Sequence, residues 1–409
     1  MRCYKPVSSF SLNTVRPIVA RFSFRRAIIG LVALAFTATA TSTAAMAQTI
    51  TTPAEFAIIM DYETGATLFE KNADIPTAPA SMSKLMTVAV VFEKLANGEL
   101  SLNDEFSVSE KAWRMGGSKM WVRVDTNIRV EDLLRGVVVQ SGNDACIVLA
   151  ENIAGSEEAF ADLMNRKARE WGLNDSTFAN ASGWPDPDQK MSMRDLAKLS
   201  RKIIAEYPEF YTLFSEREFT WEKITQPNRN PILGRVDGAD GLKTGHTEES
   251  GFGLVGSALN DKQRRIVVLN GLPSDKVRRS ESGRLMRLAF SDFIKEELFA
   301  SGASVGSADV FGGRAPAIPL VVKDDVSILV HRSERDDIKA TIVYEGPVPA
   351  PVQRGDQLGY LRVTSGENTE EHPLFAGESV ERLSALGRIL LGAKTLLAKP
   401  EKDAPESDS

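Results

Sequence analysis

Histidine and cysteine are scarce in this chain of 409 residues, which contains three histidines and two cysteines. His246, His331 and His372 form no H-E-x-x-H motif and no Cys/His cluster with the spacing of metal ligands. The sequence also lacks a G-x-S-x-G nucleophile elbow and a Walker-type phosphate loop. We therefore expect neither a metal nor another cofactor, and these absences disfavour a metal hydrolase and a Ser-His-Asp enzyme of the elbow type.

Acidic residues are absent from residues 1–47, which hold six lysines and arginines. An apolar run from Ala27 to about Ala40 follows this basic stretch, and Ala45-Met46-Ala47 has the A-x-A form of a cleavage site. This order predicts a secretory signal peptide over residues 1–47, and hence export to the periplasm. A membrane-spanning anchor is disfavoured because the run is short for a bilayer and gives way to Thr and Ser.

The chain after residue 47 has 43 basic and 55 acidic side chains, a formal charge of −12. An acidic balance of this size argues against a nucleic-acid partner. Cys146 is the only cysteine in this part of the chain, so no internal disulfide is expected, and its apolar neighbours predict a buried residue. The exported fold must therefore depend on its own hydrophobic core.

Residues 48–299 are predicted to form an α+β domain with an antiparallel sheet and a helical lobe. Glu55–Glu70 resembles a hairpin, and Gly251–Leu259 and Arg264–Leu272 resemble two further strands. The predicted helices cover Met82–Leu95, residues 130–154 and 156–172, Asp195–Ala205 and Ser280–Phe299.

Short strand patterns separated by Pro and Gly predict a small all-β domain over residues 300–378. Residues 379–399 are predicted to form an amphipathic helix with leucines on one side and added basic residues. This helix is either a membrane-surface anchor, which we favour, or a helix docked on its own domain. The acidic segment 400–409 is expected to be disordered.

The stretch Ser81-Met82-Ser83-Lys84 opens a predicted buried helix. A serine hydroxyl needs a base to become a nucleophile, and a lysine can serve when burial or nearby cations favour its neutral form. The i, i+3 spacing places Ser81 and Lys84 on one face of a helix. The competing interpretation is a serine that only caps the helix.

Two further motifs follow in order along the chain. In Ser141-Gly142-Asn143-Asp144, a hydroxyl and an amide can project from a loop into a shared cleft. In Lys243-Thr244-Gly245, a lysine and a hydroxyl on an edge strand can bind a carboxylate, while the glycine leaves room for an extended substrate.

The set S-x-x-K, S-x-N and K-T-G resembles that of the low-molecular-weight penicillin-binding proteins, the D-alanyl-D-alanine carboxypeptidases of peptidoglycan. The similarity covers about residues 54–375 and includes the segments DYETG, ASMSKLMT, GGSKMW, QSGNDAC, PNRN, DGLKTGHT and RRSES. The resemblance implies a β-lactamase/transpeptidase-like domain followed by the all-β domain. It also implies peptidoglycan stem peptides as substrates, β-lactams as covalent inhibitors, and a location on the outer face of the cytoplasmic membrane.

The resemblance further implies a role for each motif residue. Ser81 would be acylated by the penultimate D-alanine carbonyl, and Lys84 would be the general base. Ser141 and Asn143 would complete a proton relay and hold the substrate.

Substrate binding would fall to the K-T-G segment and its surroundings. Lys243 would supply electrostatics, Thr244 would bind the terminal carboxylate beside Gly245, and the backbone N–H groups of Ser81 and His246 would form an oxyanion hole. Arg278 matches an arginine near that carboxylate, with a solvated charge at a helix start as the alternative. The His246 side chain is expected to be a partly exposed strand residue, and Arg229 is as well explained by a role in its turn.

The loop 179–187, ANASGWPDP, departs from the family pattern because Ser182 stands where a histidine is often found. A β-lactamase with the same acyl-serine chemistry remains an alternative, although this loop contains no glutamate to activate a water. A D,D-endopeptidase that uses the same residues is a second alternative. A non-catalytic muropeptide-binding protein is a third, against which the intact S-x-x-K argues.

Overall fold

A computed structural model of the chain describes residues 2–7, 50–366, 368–385 and 387, which fall into two compact units. One unit is Ile50–Ile294. The other contains the described residues from Lys295 onwards together with residues 2–7. The division between the units lies close to the predicted boundary at residue 299.

The first unit is built on a five-stranded antiparallel sheet. Its strands, in spatial order, are Thr67–Lys71, Phe56–Asp61, Gln263–Leu272, Gly251–Asn260 and Ala239–Thr247. The hairpin predicted near the N-terminus and the two later strands are confirmed. We call Ala239–Thr247, the last strand in this order, the edge strand.

Both faces of this sheet are covered. Ile58 and Ile266 belong to a core shared with most of the helices, whereas Ile59 and Val267 pack with the helix Asp275–Ser291 on the opposite face. Successive strand residues point to opposite faces, so burial of both faces requires apolar residues at consecutive positions. This requirement explains uninterrupted runs such as Phe56-Ala57-Ile58-Ile59-Met60.

The helical lobe matches most of the predicted helices. Serine side chains cap the N-termini of four helices of this unit, among them Ser156 before Glu157–Glu170 and Ser192 before Met193–Glu206. The α-helices of this unit are Lys84–Ala96, Glu110–Arg114, Val130–Val138, Asn143–Ala154, Glu157–Glu170, Met193–Glu206, Pro208–Tyr211 and Asp275–Ser291. Short 3-10 helices cover Ala80–Ser83 and Thr212–Ser215, and small hairpins pair Glu105–Ser107 with Asn127–Arg129 and Glu218–Trp221 with Ile224–Pro227.

Two helix predictions were wrong in extent. Residues 130–154 form two helices rather than one, because the chain breaks at Val139–Gly142, where Ser141 adopts a positive φ of 61°. The helix predicted over Ser280–Phe299 runs from Asp275 to Ser291, and Phe293–Phe299 is a strand. No Gly or Pro marks this second change, so the pattern alone did not reveal it.

The second unit is all-β apart from one short 3-10 helix, Arg332–Asp337, among its fully described elements, which confirms the predicted class. Phe293–Phe299 pairs with Val326–His331 in a two-stranded sheet. The larger sheet contains, in spatial order, Arg2–Pro6, Lys339–Glu345, Gln357–Ser365, Asn368–Ala376, Ala317–Val321, Ser304–Phe311 and Val348–Pro349.

The predictions for the two chain ends concern mostly residues outside the described ranges. This holds for most of the predicted signal peptide, for the acidic tail 400–409, and for the greater part of the predicted helix 379–399. At the start of that helix, Val380 and Arg382 instead form isolated β-bridges, with Val352 and Gly313. Across the described ranges, the helices fall short of the length and apolar character that crossing a membrane requires.

Candidate active site

Ser81 lies in the 3-10 turn Ala80–Ser83, which leads directly into the helix Lys84–Ala96. The expectation that Ser81 begins an α-helix was therefore wrong in detail. Side chains three residues apart eclipse one another in a 3-10 turn, so Ser81 and Lys84 still meet. Lys84 Nζ lies 3.0 Å from Ser81 Oγ.

The Lys84 side chain is completely buried, and its Nζ donates three hydrogen bonds to uncharged oxygens. Besides Ser81 Oγ, Nζ donates to Asn143 Oδ1 at 2.7 Å and to the backbone carbonyl of Ser182. Burial lowers the pKa of the Lys84 ammonium to about 8. A side chain with this pKa is uncharged in an appreciable fraction of molecules near neutral pH, and it can then accept the Ser81 proton.

Ser141 lies in the break between two helices and Asn143 begins the second helix, so the loop expected at this motif interrupts the helix that was predicted over residues 130–154. Asn143 is fixed from both sides, because its Nδ2 donates to the Gly116 carbonyl at 2.9 Å and its backbone N–H donates to the Ser118 carbonyl at 2.8 Å. The next residue, Asp144, accepts backbone N–H groups from the loop at residues 120–122. The helix start thus holds Asn143 Oδ1 against Lys84 and also shapes the facing loop.

The edge strand brings Lys243 to Ser141 across 102 residues of sequence. Lys243 Nζ donates to Ser141 Oγ at 2.9 Å and to the Thr244 carbonyl at 3.1 Å. Burial, reinforced by the neighbouring charge of Lys84, lowers the pKa of Lys243 well below its usual range. Thr244 is 5% exposed beside it.

Gly245 lies against the turn that carries Ser81. A Cβ at this position would stand 2.8 Å from the Pro79 carbonyl oxygen and 3.2 Å from Ala80 Cβ. The sequence indicated that this glycine leaves room for a substrate, whereas the nearest atoms here belong to the protein. The glycine therefore lets the edge strand approach the nucleophile turn closely.

Two arginines add positive charge near Lys243. Arg278 is 9% exposed, so the alternative of a solvated charge at a helix start is wrong, and its Nη1 donates to the Gly245 carbonyl at 3.3 Å. Arg229 Nη1 donates to Ser118 Oγ at 2.6 Å. Both arginines disfavour protonation of Lys243. The exposed His246 ring stacks on Phe252 with centroids 3.9 Å apart, which agrees with a strand side chain that has no proton-transfer role.

A cleft of about 720 Å³ opens beside Ser81. Its walls include residues that sequence reasoning left without a role, namely Ser118, Trp184, Glu248 and Glu249. Ser118 and Trp184 lie in segments that the sequence analysis only compared with the family pattern. Glu248 and Glu249 directly follow the K-T-G-H-T stretch. Over the described ranges, no group of three or more His, Cys, Asp or Glu side chains is arranged to hold a metal.

Comparison with known proteins identifies relatives of both units. The D-alanyl-D-alanine carboxypeptidase family, peptidase S11, matches residues 40–273, and the C-terminal domain of penicillin-binding protein 5 matches residues 293–382. The D-alanyl-D-alanine carboxypeptidase DacC of Escherichia coli is 36% identical over 354 residues, which is 84% of this chain and 88% of the relative.

Solved structures show the same likeness. The D-alanyl-D-alanine carboxypeptidase DacD of Francisella tularensis aligns with a TM-score of 0.72 and 30% identity, over 82% of this chain and 95% of the other. Penicillin-binding protein 5 of Haemophilus influenzae aligns with a TM-score of 0.68 and 33% identity, over 81% of this chain and all of the other. These relatives confirm the family that the three motifs resemble, and also the α+β domain followed by an all-β domain.

The lowered pKa of Lys84 predicts how the reactivity of Ser81 depends on pH. The neutral amine is the proton acceptor, so the second-order rate constant for acylation by a penicillin will rise about tenfold per pH unit below pH 8 and level off above it. Stopped-flow acylation measured from pH 6 to 9.5 tests this dependence. The variant Lys84→Arg, whose guanidinium stays protonated, should be slow throughout, and a flat profile in the unmodified protein would contradict the assignment of the base.

The contact between Lys84 and the loop 179–187 depends on Gly183. This residue has a φ of +72°, and a Cβ there would collide with the Ala80 carbonyl and the Ser83 hydroxyl. Gly183→Ala will displace the Ser182 carbonyl and slow acylation by about 10- to 100-fold, as expected when catalytic groups shift by about 1 Å. Gly172→Ala is the matched control, because Gly172 has a φ of +69° and no heavy atom within 4 Å of the added Cβ. Equal rates in the two variants would show that the loop contact does not matter.

Proposed function

The chain belongs to the D-alanyl-D-alanine carboxypeptidase family, peptidase S11, and we propose that it removes the terminal D-alanine from peptidoglycan stem peptides through an acyl ester on Ser81. The observation that carries this proposal is the buried Lys84 amine, held 3.0 Å from Ser81 Oγ with a pKa of about 8. A serine and a base in this geometry form the nucleophilic pair of a covalent hydrolase.

In the first half of the reaction, Ser81 Oγ attacks the carbonyl carbon of the penultimate D-alanine while its proton passes to Lys84 Nζ. The peptide C–N bond then breaks, and the leaving D-alanine amine takes up a proton. The backbone N–H groups of Ser81 and His246 stabilise the oxyanion of the tetrahedral intermediate. In the second half, water attacks the ester carbonyl, Lys84 accepts its proton, and Ser81 Oγ is released with a hydrogen restored.

Binding of the terminal carboxylate falls to the cationic side of the site. Lys243 and Arg278 supply positive charge and Thr244 a hydroxyl donor, and Lys243 also orients Ser141, the hydroxyl that relays a proton to the leaving amine. Lys243 is buried beside other cations, which raises the cost of keeping it charged while the site is empty. A bound carboxylate relieves that cost, so the site selects ligands that carry one.

The same geometry explains inhibition by β-lactams. A penicillin presents a strained amide carbonyl near a carboxylate, so Ser81 opens the ring and the whole drug stays attached as an ester. The relative from H. influenzae is named a penicillin-binding protein. The sequence-level alternatives of a β-lactamase and a non-catalytic binding protein are disfavoured by the family match and by the intact pair of Ser81 and Lys84.

Intact mass spectrometry tests the nucleophile. Brief exposure to a penicillin will add one drug mass to the protein, Ser81→Ala will gain nothing, and the adduct will persist for much longer than a β-lactamase retains its acyl group. In parallel, a peptide ending in D-Ala-D-Ala will release D-alanine with the unmodified protein only. A folded protein that forms no adduct would contradict the role of Ser81, and rapid loss of the adduct would favour the β-lactamase.

Location outside the cytoplasmic membrane is part of the proposal, since peptidoglycan is found there. The basic stretch, the apolar run and Ala45-Met46-Ala47 support a leader over residues 1–47. We also propose that the part of segment 379–399 that follows the β-bridges of Val380 and Arg382 contacts the membrane surface through its leucines, with the neighbouring basic residues near anionic lipid.

Expression of the full chain in a Gram-negative host tests export and membrane contact together. The mature protein will begin at Gln48 and will be reached by protease in spheroplasts, whereas Leu34→Arg, which interrupts the apolar run, will leave an uncleaved precursor inside. A chain that stops at Ser384 will appear in the soluble periplasmic fraction, while the full chain sediments with membranes. A retained N-terminus would overturn the leader, and identical fractionation of the two lengths would overturn the surface anchor.

A further inference from the structure

One strand of the second unit loses its outer neighbour when the proposed leader is removed. In the larger sheet of this unit, Arg2–Pro6 is the first strand in spatial order and pairs antiparallel with Lys339–Glu345. The residues of Arg2–Pro6 belong to the segment 1–47, which we propose is cleaved from the mature protein. Lys339–Glu345 then becomes the last strand at that end of the described sheet, and we call it the outer strand.

The backbone of the outer strand has hydrogen-bonding groups that point away from the sheet. The Val7 N–H donates to the Ala340 carbonyl at 3.2 Å, so the backbone groups of Ala340 point to the outer side. Every second residue of an antiparallel strand bonds to the same neighbour, so Ile342 and Tyr344 point outward as well. Loss of residues 1–47 leaves these groups unpaired, and unpaired groups along a sheet edge are a template for another strand.

The outer strand lacks the features that usually prevent strands from pairing at a sheet edge. Such edges are commonly protected by a proline, a bulge or a charged residue within the strand. Residues 340–344 are Ala-Thr-Ile-Val-Tyr, an uncharged run rich in β-branched residues. On its inner side the strand pairs with Gln357–Ser365 without a bulge from Lys339 to Tyr344. The mature protein therefore presents a regular strand that is ready to accept a partner.

The sequence of the outer strand is complementary to itself. When two copies of the strand lie antiparallel about a two-fold axis at Ile342, Lys339 of each copy lies opposite Glu345 of the other. Both side chains are exposed, and opposite charges directly across an antiparallel pair stabilise it. The same register sets the outward groups of Ala340 against those of Tyr344 and allows about six backbone hydrogen bonds. Charge and hydrogen bonding thus favour one register and one partner, a second copy of the chain.

We propose that the mature chain forms a two-fold dimer through the outer strand Lys339–Glu345, which pairs antiparallel with the same strand of a second copy and continues the sheet across the axis. This inference rests on removal of the leader and is independent of the carboxypeptidase reaction. An interface of one strand from each copy is small, so the dimer is weak and reversible. Its population rises when the copies are concentrated, for example by attachment to one surface.

Disulfide formation between two variants of the mature protein tests the register. Cys146, the only cysteine after residue 47, is buried and gives no background. In the proposed dimer, Lys339 and the Glu345 of the second copy have Cα atoms about 4.5 Å apart, which a disulfide can bridge. A mixture of K339C and E345C will therefore give a disulfide-linked dimer under mild oxidation. Either variant alone keeps its introduced thiols about 20 Å apart in the dimer and will stay monomeric on a non-reducing gel.

Charge reversal tests the same interface without new covalent bonds. In analytical ultracentrifugation of the mature protein, K339E will raise the dimer Kd about three- to thirtyfold, because each opposite-charge pair becomes a like-charge pair. The double variant K339E/E345K exchanges the two charges and will restore the original Kd. R354E is the matched control, since Arg354 is an exposed cation of the same unit outside the outer strand, and it will leave the Kd unchanged.

The outcomes separate this inference from the leader on which it rests. A mature chain that stays monomeric at all concentrations would overturn the dimer and leave the outer strand to a strand of another protein. Mixed disulfides that form no faster than those of each variant alone, or equal Kd values for K339E and R354E, would overturn the pairing through this strand. Purified protein that retains residues 1–7 would overturn leader removal, and the dimer with it, while the carboxypeptidase proposal stands.

Discussion

The active site depends on burying the Lys84 amine among uncharged oxygens. Ser81, Asn143 and Ser182 each supply one of these oxygens, and they belong to three different segments of the chain. A buried carboxylate partner would hold the lysine protonated, whereas neutral acceptors leave its desolvation only partly compensated. The nearby Asp144 carboxylate is itself occupied by backbone N–H groups of residues 120–122. The protein thus obtains a base that works near neutral pH.

This arrangement is unfavourable for folding, and the rest of the domain must offset it. A second buried lysine, Lys243, and Arg229 stand near the first, and Arg278, which is ion-paired with Asp275, stands near Lys243, so positive charge predominates in the empty site. The sheet above it is apolar on both faces, and its cores continue into the helical lobe and the helix Asp275–Ser291. Such extensive burial can stabilise a site that is itself strained. A carboxylate ligand then gains affinity because it relieves the repulsion.

The side chains that form the site were largely predictable from the sequence, because each motif combines particular residue types at a fixed spacing. The spacing of Ser81 and Lys84 predicted their contact, and the motif set predicted that Lys243 and Ser141 would belong to one site, although not that they would be hydrogen-bonded to each other. Contacts made by the backbone were not predictable. Every residue has a carbonyl, so nothing in the sequence distinguishes that of Ser182 as an acceptor for Lys84.

Secondary structure was predictable where a capping serine, a Gly or a Pro marks the end of an element. The helix predicted from residue 156 follows the cap Ser156, whereas the helix predicted from Asp195 begins at Met193, after Ser192, whose side chain accepts a backbone N–H. The change from helix to strand between Ser291 and Phe293 carries no Gly or Pro, and the pairing of Phe293–Phe299 with a distant strand decides its conformation. Tertiary pairing of this kind overrides local preference, and a single sequence does not display it.

The loop 179–187 shows how a departure from the family pattern can leave chemistry intact. Ser182 stands where a histidine is often found, yet it meets Lys84 through its backbone carbonyl, so that contact does not depend on the side chain. The constraint instead falls on Gly183, which has a positive φ and no room for a Cβ. Trp184 follows immediately and faces the cleft. One short loop therefore joins a main-chain contact to the base, a position that requires glycine, and an aromatic side chain in the wall of the cleft.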